Sequence, residues 1–82
     1  MTDSNLLDRV RSIAADVLQV SVTSVTPDSS PETIESWDSV RQLDLVLALE
    51  QAFRVQFEPE EIDQMKNIDR IVGLVNGKVL AS

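Results

Sequence analysis

The stretch ESWDSVRQLDLVLALE, residues 35–50, sets a serine between an aspartate and an apolar run. Asp38 or Ser39 is a suitable helix N-cap, because a short polar side chain there accepts an N–H group that the first helical turn leaves unpaired. No proline or glycine interrupts the sequence from there to Phe53, so the pattern predicts a helix over 39–53. A single buried stripe at helical spacing takes Leu43, Val46, Leu49 and Phe53, with Leu45 alongside. Val40 and Leu47 fall off that stripe, beside Arg41, Asp44 and Gln51, and read as a small exposed contact patch. From these residues alone Ser39 has three readings: a cap, a nucleophile, or a point of attachment.

Upstream, residues 20–38 (VSVTSVTPDSSPETIESWD) hold two prolines, many hydroxyl and acidic side chains, and no glycine. They read as a long connection with a short turn near 31–34. A connection of this length is either functional or pinned to the core, and Val22, Val25, Ile34 and Trp37 are the expected pins. Before it, apolar residues at 6, 7, 10, 13, 14, 17 and 18 predict a helix over 4–19, capped by Asp3 or Ser4. Downstream, Phe57 is expected to turn inward and Pro59 suits the first position of a helix. Glu60 and Glu61 suit the positive end of that short helix, over 59–64, with Ile62 as its inward anchor. Asn67 caps a last helix with the stripe Ile68, Ile71, Val72 and Val75, extended by Val79; Gly73 and Gly77 weaken its end. The sum is one all-α domain over 1–82: a four-helix bundle of three main helices and one short helix, with a long loop between the first two.

The totals narrow the function. With 82 residues, no cysteine and no histidine, the chain has no disulfide and none of the usual zinc sites, so an aliphatic core must hold it. The opening MTDSNLLDRV has acids where a signal peptide needs bases, and no apolar run approaches the roughly 18 residues of a membrane span. A soluble, cytoplasmic protein is expected, without membrane insertion and as a monomer. The net charge of −7 is uneven: residues 28–63 contribute −8, from ten acids and two bases. Such a surface repels nucleic acid and favours partners with basic patches.

Ser39 as a nucleophile would need a base, and the chain offers no histidine; its lysines, Lys66 and Lys78, fall on a late loop and the last helix. The loop from Asp28 fails as a calcium site, having Thr33 and Ser39 where an EF-hand needs glycine and a bidentate glutamate. The reading is therefore a non-catalytic protein without a metal.

The segment WDSVRQLDLVLALEQAFRVQFEPEEIDQMKNIDRIVGLV, residues 37–75, resembles the acyl carrier proteins of fatty acid and polyketide type. The likeness lies in Asp-Ser before an aliphatic residue, an apolar helix ending in Leu-Glu, a Phe-containing turn, Pro-Glu-Glu-Ile, and a final helix rich in Ile and Val. It implies that Ser39 carries 4′-phosphopantetheine, placed there from coenzyme A by a phosphopantetheinyl transferase, with Asp38 assisting. The cargo would be an acyl or aminoacyl group held as a thioester for a fatty-acid- or polyketide-like specialised pathway. A loading enzyme and ketosynthase- or acyltransferase-type enzymes with basic docking patches would be the partners. Val40, Arg41, Asp44, Leu47, Glu50, Glu60 and Glu61 would face them, and Leu43, Val46, Phe53, Ile62 and Ile71 would line an acyl pocket. A phosphodiester at a helix N-terminus is also favourable physically, since free N–H groups and the helix dipole attract an anion.

The departures from the family pattern are Trp37 before Asp38, Val40 where leucine is usual, and Arg41 and Gln51 where acids are common. They point away from a generic fatty-acid carrier. Arg41 is expected to pair with the phosphodiester or with Asp38, or simply to lower the acidity of the partner-facing strip. The approach also lacks the Gly-Gly typical of peptidyl carriers. The alternatives are a peptidyl or aminoacyl carrier, or an unmodified interaction module of carrier fold in which Ser39 only caps.

Overall fold

The computed structural model describes residues 2–81, with side chains over 6–79. Among the described residues four α-helices follow in chain order, α1 Thr2–Leu18, α2 Ser39–Phe53, α3 Pro59–Asp63 and α4 Ile68–Ala81, with a 3₁₀ turn at Val22–Ser24. The second helix has the predicted bounds. The first begins two residues earlier than its periodicity suggests, so Asp3 and Ser4 lie within it; the expected cap falls on side chains outside the described residues.

Helix α1 packs against both α2 and α4. It runs antiparallel to α2: the carbonyls of Val17 and Leu18 meet the start of α2, while Arg9 reaches the Ala52 carbonyl at its end. The core is filled by Val10, Ala14 and Leu18 from α1, Leu45, Val46 and Leu49 from α2, and Ile68, Ile71 and Val75 from α4. Five further buried apolar side chains (Val25, Ile34, Trp37, Phe57 and Met65) come from the connections, so the long first loop is part of the core. Val22, by contrast, is 42% exposed. Its place as a pin is taken from outside, by Arg11, which donates to the carbonyls of Val22 and Val25 at 3.0 and 2.6 Å.

The far end of that loop is fixed by the first turn of α4. Backbone N–H groups of Ile68 and Asp69 donate to the carbonyls of Ser29 and Pro27, both at 3.0 Å. Asn67 accepts from the Arg70 N–H at 2.8 Å, which is the expected cap, and its carbonyl accepts from Ile71. The first three N–H groups of α4, which a helix start leaves without an intrahelical partner, are thus satisfied, and two of them hold the loop. Ser29, buried within it, accepts from the Thr26 N–H at 2.8 Å.

Three expected core positions differ. Leu43 is 59% exposed, because it lies about 115° round the helix from the middle of the face made by Leu45, Val46 and Leu49. The short α3 is anchored by Met65, just past its end and 3% exposed, while Ile62 is only half-buried. Val79 is 40% exposed, near the end of α4.

Candidate attachment site at the start of the second helix

Asp38, in extended conformation, is the N-cap of α2; its Oδ1 accepts from the Arg41 N–H at 2.9 Å, and its carbonyl accepts from Gln42. This occupies the aspartate in holding the helix start and leaves Ser39 as the first helical residue, exposed to solvent. Among the described residues, the N–H groups of Ser39 and Val40 have no protein partner. The serine hydroxyl therefore stands beside two free donors at the positive end of a helix of 15 residues.

Beneath this exposed end the chain is tightly held. Trp37 is 2% exposed, and its Nε1–H donates to Gln42 Oε1 at 2.7 Å. Ser36 Oγ donates to the Leu18 carbonyl at 2.8 Å, and Arg41 Nη1 donates to the Val17 carbonyl at 2.7 Å. Gln19 Nε2 takes the Asp16 carbonyl and the Val20 N–H takes that of Ala15. The last four carbonyls of α1 are thus all paired, two of them by the residues that flank Asp38 and Ser39. A guanidinium at the negative end of α1 is also favourable electrostatically. Of the expectations for Arg41, a side-chain pair with Asp38 is not formed. Only its backbone N–H meets Asp38; its side chain joins the start of α2 to the end of α1.

Of the other residues expected to face partners, Val40, Asp44, Leu47 and Glu60 are exposed. Glu50 is half-buried, and its Oε2 accepts from the Phe57 N–H at 2.9 Å, which fixes the turn between α2 and α3. Glu61 is also engaged internally. It closes a capping box with Glu58, accepting from the Glu58 N–H at 2.7 Å, and forms an ion pair with Lys78 of α4 at 2.7 Å. The backbone hydrogen bond from Glu58, then Lys78, hold the Glu61 carboxyl below its usual value of 4.5.

The five side chains expected to line an acyl pocket do not share one environment. Val46 and Ile71 are packed in the core, Phe53 and Ile62 are half-buried, and Leu43 is on the surface. Phe53 faces α1, where the Arg9 guanidinium lies 4.4 Å from its ring centre. The residues missed from sequence were Gln42 and Ser36. The signal for Gln42 was present: a buried tryptophan needs an acceptor for its N–H, and Gln42 lies in the first turn of the next helix.

An all-α bundle that exposes a serine at a helix N-terminus has the arrangement that a carrier domain needs. Comparison with known proteins agrees. The family described as "Phosphopantetheine attachment site" matches residues 8–75. The acyl carrier protein of Thermosynechococcus vestitus is 33% identical over 81 residues, spanning 99% of this chain and 100% of its own. That of Petrotoga mobilis is 34% identical over 79 residues, spanning 96% and 93%. The solution structure of holo acyl carrier protein from Geobacter metallireducens superposes with a TM-score of 0.83 at 27% identity, over 92% of this chain and 86% of that one. The chain belongs to the acyl carrier protein family, and its prosthetic group is a covalently attached phosphopantetheine.

Proposed function

We propose that Ser39 is the attachment residue and that the chain acts as a discrete, monomeric, cytoplasmic carrier of acyl or aminoacyl intermediates in a fatty-acid- or polyketide-like specialised pathway. The observation that carries this reading is the exposed Ser39 hydroxyl beside the unpaired N–H groups of Ser39 and Val40. In the transfer from coenzyme A, the serine oxygen bonds to the phosphorus next to the pantetheine. The pyrophosphate bond breaks and adenosine 3′,5′-bisphosphate leaves, while the hydroxyl proton passes to a base of the transferase. The two free N–H groups then face the phosphodiester, and Asp38 keeps its capping role. The arm supplies the thiol that holds the cargo, which a chain without cysteine cannot supply itself.

The departures at Trp37, Arg41 and Gln51 support a specialised pathway, since each removes a feature usual in a general fatty-acid carrier. The reading is tested by intact mass after incubation with coenzyme A, magnesium and a broad-specificity phosphopantetheinyl transferase. One added arm on the wild type and none on Ser39→Ala is expected. An unmodified wild type with several transferases would leave only a folded helical module with a capped helix.

A further inference from the structure

A groove of about 410 Å³ lies where the end of α1, the 3₁₀ turn and residues 33–36 of the first loop meet the start of α2. Residues from both sides of Ser39 line it: Glu35 and Ser36 before the serine, Arg41 after it. The apolar part of the lining is Leu18, Val20 and Ile34, and the exposed Ser24 borders it. Two charged groups there have bonding capacity left over. Arg41 gives one Nη1–H to the Val17 carbonyl, while its Nε–H and Nη2 groups have no protein partner among the described residues. The exposed Glu35 carboxylate has no hydrogen bond or ion pair among them either. Free donors and a free acceptor therefore stand around an apolar lining, the make-up of a small-molecule site.

Pantetheine fits this lining. Beyond the phosphodiester it is uncharged, with a gem-dimethyl group, a hydroxyl and two amides that each donate and accept. Three bonds of extended chain advance about 3.8 Å, so the roughly 13 bonds from phosphorus to sulfur reach about 16 Å. Ser36 is three residues from Ser39, at most about 11 Å of chain, and Arg41 is nearer still. We propose, on the basis of the reading of Ser39 as the attachment residue, that the arm folds back into this groove between visits to enzymes. Its amide carbonyls meet Arg41 and its amide N–H groups meet Glu35. A weak contact is enough. A short tether holds the arm at an effective concentration of millimolar order, so an intrinsic affinity in that range keeps about half of the arms in place. A partner enzyme then draws the arm out by offering it a better site.

The test converts the full chain to its holo form with coenzyme A, magnesium and a phosphopantetheinyl transferase, and compares ¹H–¹⁵N spectra before and after. Amides next to Ser39 shift wherever the arm goes, because the phosphodiester is bonded among them. Those of Val20 and Ser24, far from Ser39 in sequence, are the diagnostic ones. They are expected to shift in the holo form, by the same amount at low and high protein concentration. Shifts that grow with concentration would put the arm in a second copy's groove and overturn the proposal. The chain has no cysteine, so the arm carries the only thiol and its alkylation by iodoacetamide is read without background. Ser24→Phe fills the groove from an exposed position, with far-UV circular dichroism unchanged. Its holo form is expected to be alkylated about twofold or more faster than the holo wild type and to lose the shift at Val20. A modified wild type with shifts confined to residues 36–43, and with a thiol no slower than that of Ser24→Phe, overturns the arm site and leaves the attachment at Ser39 standing. A wild type that is never modified removes the carrier reading, and this inference with it.

Discussion

Trp37 and Gln42 show what a single pair can decide. The indole is buried, and Gln42 Oε1 is the acceptor that satisfies its N–H at 2.7 Å. Removing the acceptor leaves a buried donor unpaired, which costs about 1–3 kcal/mol. Gln42→Ala is therefore expected to lower the unfolding free energy by that amount in urea titrations followed by tryptophan fluorescence. Trp37→Phe made in the Gln42→Ala background recovers part of the loss, because the unpaired donor is gone even though some packing is lost. Equal stability of Gln42→Ala and wild type would mean that water replaces the glutamine. The pair brackets Asp38 and Ser39 in sequence, so the proposed attachment site stands on a fixed footing while its serine is exposed.

The ends of the helices carry most of the information at the next scale. Both α1 and α2 close through a residue in the left-handed region that is not glycine: Gln19 at φ 60° and Arg54 at φ 56°. In each case the N–H two residues past the helix, of Val20 and Val55, returns to a carbonyl five residues back, Ala15 and Glu50. This is the closure glycine normally supplies, and an L side chain there is strained by roughly 1 kcal/mol. Arg54→Gly relieves that strain but gives the unfolded chain more freedom, so a net gain of a few tenths to about 1 kcal/mol is expected in thermal melts. A loss would instead show that the Arg54 side chain makes a stabilising contact in solution.

The same positions explain how much was legible in the sequence. The bounds of α2 and the Asn67 cap follow from local chemistry, which is why the residues announce them. The Leu43 stripe failed because helical periodicity fixes spacing but not phase. The phase is set by the core that Leu45, Val46 and Leu49 share with Trp37 and the first loop, and eight apolar residues from 43 to 53 left it open. The side-chain pair of Arg41 with Asp38 failed for a longer-range reason, since the guanidinium meets the Val17 carbonyl, 24 residues away. Asp38 was readable as a cap because capping is local chemistry, and Ser39 follows it as the first helical residue.

For the molecule as a whole, pH acts through two opposed effects. The net charge of −7 repels itself, so protonating carboxylates on the way down to the pI of about 4.2 relieves a stress on the fold. Against this stands Glu61, which ties α3 to α4 through Lys78; the same ammonium lies 5.7 Å from the centre of the Phe57 ring. The Glu58 N–H and then Lys78 lower the folded pKa of Glu61 below 4.5. A carboxyl depressed on folding adds stability that is complete above its unfolded value and is lost as pH falls through the folded one. The window for this contribution therefore opens at about 4.5 and extends below it. Glu61→Gln keeps the shape, removes the ion pair and leaves the other acids in place, so the general relief of repulsion is shared with wild type. The gap between the two melting temperatures is expected to be constant from neutral pH to about pH 5 and to close as pH falls further. High salt narrows the gap at neutral pH, because the pair is partly exposed. A gap that is unchanged down to pH 3 would show that the link between α3 and α4 is held by packing rather than by charge.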